Sequence, residues 1–266
     1  MSAEILAAAD PSLTGLADAP RAPGLPRRLG PRLLVTPALL TLALTALYLW
    51  VSSQPLDSIE HGMLNRSYLL ARIGEQVRLS CAASALVVLI AVPAGILATR
   101  QAARRIAPLI LAVANIGQAV PAIGLLVLLT MVMDVGFRTA LIGLLASSLL
   151  PVLRNTITGL NEVDRTVMET ARAMGMRPGQ ILRRIELPLA VPVILAGVRT
   201  ALVFCVGTAT LAALIDSGGL GGMISSGLSL QRTPIIVTGS VLAASIAFFL
   251  DWLGSVAEDL LRPRGL

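Results

Sequence analysis

Six stretches of this chain are each long and apolar enough to cross a lipid bilayer, and no other feature limits its fold so tightly. Crossing about 30 Å of hydrocarbon as a helix takes roughly 20 apolar residues. Residues 33–51, 79–99, 106–133, 139–160, 187–215 and 235–253 meet that requirement. Inside a bilayer every backbone N–H and C=O must be bonded within the protein, so such runs fold as helices. Composition points the same way. Charged residues make up 14% of the 266, where a soluble domain carries about 25%, and mean hydropathy is +0.82. The expected fold class is therefore all-α, a polytopic membrane protein of about six transmembrane helices. The third and fifth runs are long enough to tilt or break, and Gln118 and Pro121 interrupt the third.

Arginine placement sets the expected orientation. Positive charge accumulates on the cytoplasmic side of membrane proteins. With the N-terminus inside, fifteen arginines fall in cytoplasmic segments and five in external ones, with Arg199 inside a span. Both termini are thus expected in the cytoplasm. The first run is followed by Val51-Ser52-Ser53-Gln54-Pro55, which is no signal-peptidase site, so the first span is expected to be retained. The net charge of +6 is accounted for by topology, and a nucleic-acid partner becomes unnecessary.

The residue inventory narrows the chemistry. All 21 basic residues are arginine, so lysine-dependent mechanisms fall away, among them Schiff-base chemistry and the P-loop of an ATP site. Cys81 and Cys205 sit in apolar runs, where free cysteine behaves as a small hydrophobe. With His61 as the only histidine and no C-x-x-C, neither a metal set nor a catalytic residue can be assembled. The chain is read as a non-enzyme.

One long cytoplasmic loop remains, residues 161–186. Asn161 or Asp164 can cap a helix start through its short polar side chain. Val167, Ala171 and Met174 recur at helical spacing and make one apolar face. Gly175 suits the left-handed residue that commonly ends a helix, and Pro178 suits the first turn of a second one. Ile181, Leu182 and Ile185 then form an apolar stripe leading into the fifth span. The plain reading is an amphipathic hairpin on the membrane surface, Glu169 pairing with Arg165 or Arg172.

The spacing in this loop resembles something more specific. Glu169-Thr170-Ala171, three residues, Gly175, nine residues, then Ile185-Glu186-Leu187-Pro188 is similar to the EAA signature of ABC-importer permeases, with Thr170 in place of the usual second Ala. Gly117–Ala122, Ala190–Thr200, Thr210–Ala213 and Ser217–Gly221 resemble segments of the osmoprotectant subfamily, the importers of glycine betaine, carnitine and choline. The likeness covers about residues 65–260.

That resemblance implies a type I ABC importer permease fold in a bacterial cytoplasmic membrane. It divides the chain into a mobile tail (1–32), a transmembrane permease domain (33–261) and a short cytoplasmic tail (262–266). The implied partners are a second permease, identical or different, two cytoplasmic ATPases and an external substrate-binding protein. No binding-protein domain follows the last span before Leu266, so that partner is expected as a separate chain. ATP and Mg would be held by the ATPases and no cofactor by this chain. Glu169, Thr170, Ala171, Met174, Gly175, Ile185, Leu187 and Pro188 would form the coupling element, Glu169 meeting an arginine of the ATPase.

Three further groups are candidates. Asn115 and Gln118, one turn apart in the third span, are costly in lipid unless they face a pore or another helix; with Pro121 they are candidate pathway residues. Gly218, Gly219 and Gly221 suggest a flexible external loop touching the binding protein. Arg199 and Asp251 lie at similar depth on antiparallel spans and are a candidate ion pair; the plainer reading is that Arg199 snorkels to the interface and Asp251 meets water. With eight aromatic residues in all, no aromatic cage for a quaternary ammonium can be named, so cation–π capture is assigned to the binding protein. The rival readings are a stand-alone channel, a membrane scaffold, or a permease for another solute such as an amino acid.

Overall fold

The computed structural model describes residues 31–103 and 105–261. Apart from residues 31 and 32, the two expected tails lie outside that range. Among the described residues there is no strand. The helices are α1 (Pro31–Ser52), α2 (Ser58–Met63), α3 (Arg66–Ala98), α4 (Ala107–Ala119), α5 (Ala122–Val132), α6 (Phe137–Asn161), α7 (Arg165–Ala173), α8 (Pro178–Ile181), α9 (Leu187–Ala212), α10 (Leu220–Ser229) and α11 (Thr233–Leu261). A π turn, Leu182–Glu186, joins α8 to α9.

Five of the six expected spans are single helices long and apolar enough to cross a membrane. The third is the bent pair α4–α5, whose axes meet at 101°. The break falls at Val120-Pro121. Proline disfavours helical geometry in the residue before it, and Val120 is accordingly extended, with ψ of 130°.

Two elements differ from expectation. Helix α3 starts at Arg66 rather than near 79, because the Asn65 side chain caps it, accepting from the Tyr68 N–H at 2.8 Å. Two polar residues of its early turns, which end a hydropathy run, reach other elements: Glu75 the start of α10, and Gln76 both α9 and α10. The second is α10, a helix where a flexible glycine loop was expected. Its Met223 and Leu220 pack with Ile235 of α11 and with Leu69 and Ile73 of α3.

The core lies where α3, α6 and α9 cross. Leu79 and Ala83 meet Leu144, Cys205 and Ala209 at one level, and Val87 and Ala91 meet Leu153 and Ala201 at another. Small residues dominate these contacts, as expected where close backbone approach holds helices together in lipid. Helix α1 lies outside this core, packed on α11. The α7–α8 hairpin hangs at one end of the bundle and α10 closes the other.

Candidate functional site

The hairpin is built by local signals. Asp164 caps α7, its Oδ1 accepting from the Thr166 N–H at 2.8 Å, whereas Asn161 is the last residue of α6. At the other end Gly175 has φ of +79°. The Met176 N–H reaches the Ala171 carbonyl at 3.2 Å and the Gly175 N–H reaches Arg172 at 2.9 Å. This paired closure requires a left-handed residue at Gly175. The Gln180 side chain then caps the second helix by accepting from the Arg177 N–H at 2.9 Å.

The apolar face expected on α7 is split. Ala171 is buried, but Val167 is 41% and Met174 77% exposed. Glu169 and Thr170 are also exposed. The tip thus offers solvent a carboxylate, a thioether and an aliphatic side chain together. Among the described residues Glu169 forms no ion pair with Arg165 or Arg172. All three instead border a polar cavity of about 470 Å³ between α7 and the end of α3. Ile185, Leu187 and Pro188 are partly buried.

The stripe expected from Ile181, Leu182 and Ile185 is realised differently. Ile181, Glu186 and Ala190 are the buried positions, while Leu182 and Ile185 are only partly covered. The π turn is the cause. Its wider winding brings the fifth residue on, rather than the fourth, back to the same face, and that residue is a carboxylate. Glu186 is bound by the guanidinium of Arg100 through two nitrogens, with Nη1 to Oε1 at 3.2 Å and Nη2 to Oε2 closer still. Sequence reasoning overlooked this pair. The available signal was a carboxylate at the mouth of an apolar span, which needs a partner.

Midway along the bundle, Arg199 of α9 and Asp251 of α11 are brought together. The guanidinium Nη2 donates to both carboxylate oxygens at 3.1 Å, and Nη1 donates to Glu258 at 3.0 Å. Glu258 was not foreseen. The residue between them, Gly254, makes room: a β-carbon there would lie 2.5 Å from Cγ of Arg199, so the arginine stem lies across bare backbone. The pair borders an open groove of about 860 Å³, with Ala122, Thr200, Phe204 and Thr208 among its walls. Ala122 directly follows Pro121, so the α4–α5 break adjoins this groove. Asn115 is engaged elsewhere, accepting from Arg154 of α6 at 2.7 Å. Gln118 is partly buried and, like Asn115, is not among the groove residues.

The glycine segment at the opposite end is held, not loose. Gly218 and Gly219 have φ of +77° and +92°, and Gly221 lies buried inside α10 rather than in a loop. Glu75 accepts from the Gly219 N–H at 2.7 Å. The side chain of Gln76, 1% exposed, accepts from the Leu220 N–H at 3.2 Å. It also donates to the Val206 carbonyl at 3.0 Å and to the Thr210 hydroxyl at 3.1 Å. A β-carbon on Gly219 would come within 2.6 Å of Gln76 Oε1, so the segment and its clamp fit only with glycine. At the same end Arg232 pairs with Asp57 at 2.7 Å, tying α11 to the cap of α2.

This architecture has known counterparts. A protein-family profile described as "Binding-protein-dependent transport system inner membrane component" matches residues 91–264. The choline transport system permease protein OpuBB of Bacillus subtilis is 39% identical over 202 residues, covering 76% of this chain and 92% of that protein. The carnitine transport permease protein OpuCD of Listeria monocytogenes is 36% identical, covering 77% and 92%. The osmoprotectant import permease protein OsmY of Salmonella typhimurium is 34% identical, covering 84% and 92%. Among solved structures, an inward-facing MetNI methionine ABC transporter chain superposes with a TM-score of 0.65 at 24% identity, over 73% of this chain and 96% of that one. That likeness shows the fold. The sequence relatives and the profile show the family: this chain belongs to the inner-membrane components of binding-protein-dependent transport systems.

Proposed function

We propose that this chain is the permease subunit of an ATP-driven importer for osmoprotectants, meaning small zwitterions or quaternary amines of the glycine betaine, carnitine, choline and proline kind. The observation that carries the reading is the 39% identity to a choline permease across nearly its whole length. In this reading the chain pairs with a second permease, a copy of itself or a related chain, and the two enclose the pathway. The α7–α8 hairpin lies in the cytoplasm, as the arginine distribution favours, with both termini on that side. Its tip, with Glu169, Met174 and Gly175, docks on one of two ATPase subunits that hold ATP and Mg. An external binding protein delivers substrate at the α10 end, near Gly218 and Gly219.

The chain's own work is mechanical and electrostatic. Closure of the ATPases displaces the hairpins, and the helices attached to them move as rigid bodies between inward- and outward-open arrangements. The groove beside Pro121, Arg199 and Asp251 places charge at membrane depth, where it is tolerated when paired or facing water.

Uptake of radiolabelled glycine betaine, choline, carnitine and proline tests the reading. The chain would be expressed with the ATPase, second permease and binding protein of its neighbouring reading frames, in a bacterium lacking its own osmoprotectant importers. Saturable uptake that disappears when the ATPase is omitted is expected. Uptake confined to other amino acids would overturn the substrate class, and conductance without the ATPase would overturn the transporter reading.

A further inference from the structure

We infer that the Arg100–Glu186 ion pair, seated by the π turn at Leu182–Glu186, is the link through which displacement of the α7–α8 hairpin reaches α3. The inference rests on the hairpin being the ATPase-coupling element and assigns two positioning residues behind it.

Chain connectivity poses the problem. The hairpin is continuous with α6 on one side and, through the π turn, with α9 on the other. A push on it therefore reaches both helices along the backbone. Helix α3 has no such connection, yet it forms the third side of the core. The apolar contact of α3 with the base of the hairpin runs through Val92 and Ile96, which share a cluster with Leu182 and Leu187, and the polar cavity of about 470 Å³ lies between α7 and residues Thr99 and Arg100. The bridge across that gap is the Arg100 guanidinium on Glu186.

Its geometry suits transmission. Arg100 sits just past the end of α3, in the turn where the helix stops, and Glu186 is the last residue of the π turn. Two parallel N–H···O contacts fix orientation as well as distance. Glu186 is 5% exposed, so water scarcely competes for it. Arg100 Nε is enclosed too and has no acceptor among the described residues. An α-helical turn at 182–186 would leave Ile185 on the buried face and turn Glu186 aside. The π turn, a form that recurs at functional sites, is what makes the contact. The Glu186 end of the pair is buried while the Arg100 side chain is 34% exposed, and for stability alone such a pair is a poor choice, since apolar side chains of similar volume usually serve as well or better. That leaves directed linkage as its role.

The test uses the whole transporter in proteoliposomes, with ATPase and binding protein, reading substrate imported per ATP hydrolysed. Arg100→Gln and Glu186→Gln should leave ATPase co-purification unchanged and basal hydrolysis within about twofold, while import per ATP falls at least tenfold. The double variant Arg100→Met, Glu186→Met should insert with an unfolding temperature equal to or above that of the parent, and show the same loss. A double-Met transporter that imports normally per ATP would mean the pair serves packing only, and the inference would fall. Unchanged ratios in both single variants would overturn it equally, whether or not the double variant folds. Failure of the coupling reading is distinguished by Gly175→Val and by cross-linking Met174→Cys to the ATPase. Normal import with Gly175→Val and no cross-link removes the hairpin from coupling, and this inference with it. A positive cross-link with normal Arg100 and Glu186 variants removes this inference alone.

Discussion

Replacing Arg199 should destabilise the bundle more than replacing either of the carboxylates that hold it. Arg199→Met strands Asp251 and Glu258 together, two like charges on one face of α11 with no counter-ion. Asp251→Asn leaves the guanidinium on Glu258 at 3.0 Å, and Glu258→Gln leaves it on both oxygens of Asp251 at 3.1 Å. Side-chain exposures of 30%, 36% and 29% place the cluster between two regimes. Breaking a fully buried pair costs about 3–5 kcal/mol, and a surface pair is worth about 0.2–1 kcal/mol. Discounting for the share of water left, Arg199→Met should cost about 2 kcal/mol and each carboxylate variant about 1 kcal/mol or less. At roughly 2–4 °C per kcal/mol for a domain of this size, Arg199→Met lowers the midpoint by about 4–8 °C. Thermal unfolding of purified protein in lipid nanodiscs reads these shifts. The double variant Arg199→Met, Asp251→Asn should be more stable than the sum of its parts predicts, by about 1 kcal/mol. A ranking with Asp251→Asn as the worst variant, or strict additivity in the double, would refute the reasoning.

Three other outcomes follow from positions described above. Gly175→Val should insert normally yet lose most ATP-coupled import, since a β-branched residue is strained at φ of +79°; uptake beside membrane yield checks it. Gly221→Ala would drive a methyl carbon into the Thr210 carbonyl oxygen and should cost about 1–3 kcal/mol as α10 is pushed off α9, whereas Gly222→Ala, with open space around it, should be neutral in the same melt. Gln76→Leu removes three hydrogen bonds between α3, α9 and α10 and should cost about 1–3 kcal/mol, with hydrogen exchange rising first at Leu220.

What could be read in the sequence was what depends on one segment at a time. Five spans, the break at Pro121, a cap at Asn161 or Asp164 and the Gly175 turn all follow from length, hydropathy and local backbone chemistry. What escaped was decided between segments. The polar first turns of α3 end a hydropathy run, so that span was read as starting too late. Their residues Glu75 and Gln76 are satisfied by backbone N–H groups more than a hundred residues away. Helix α10 escaped for a related reason: Gly221 lets it lie on Thr210 of α9 and Gly227 lets it lie on Ile235 and Ile236 of α11, close approaches that composition alone renders as looseness. Glu186 was hidden by an assumed period of 3.6, and only the π turn brings a carboxylate onto that face.

Two sets of polar contacts tie α3 to α9, and their spacing decides how that pair can move. These helices run antiparallel. Arg100 grips Glu186 at the hairpin end, and Gln76 grips Val206 and Thr210 toward the other end. Between positions 186 and 206 lies roughly 30 Å of helix, about the thickness of the hydrocarbon. Sliding α3 past α9 by even half a turn would break both grips at once, stranding a buried carboxylate at one end and a buried amide at the other. Each such group costs about 1–3 kcal/mol or more when unpaired, so the pair resists shear and moves as one bar. Helix α6 is packed into the same core, while α1 packs on α11 rather than on the core, and the α4–α5 pair is broken at Val120-Pro121. Compliance therefore belongs to these outer elements, and in the proposed coupling a displacement of the hairpin would tip the three-helix block as a body against them.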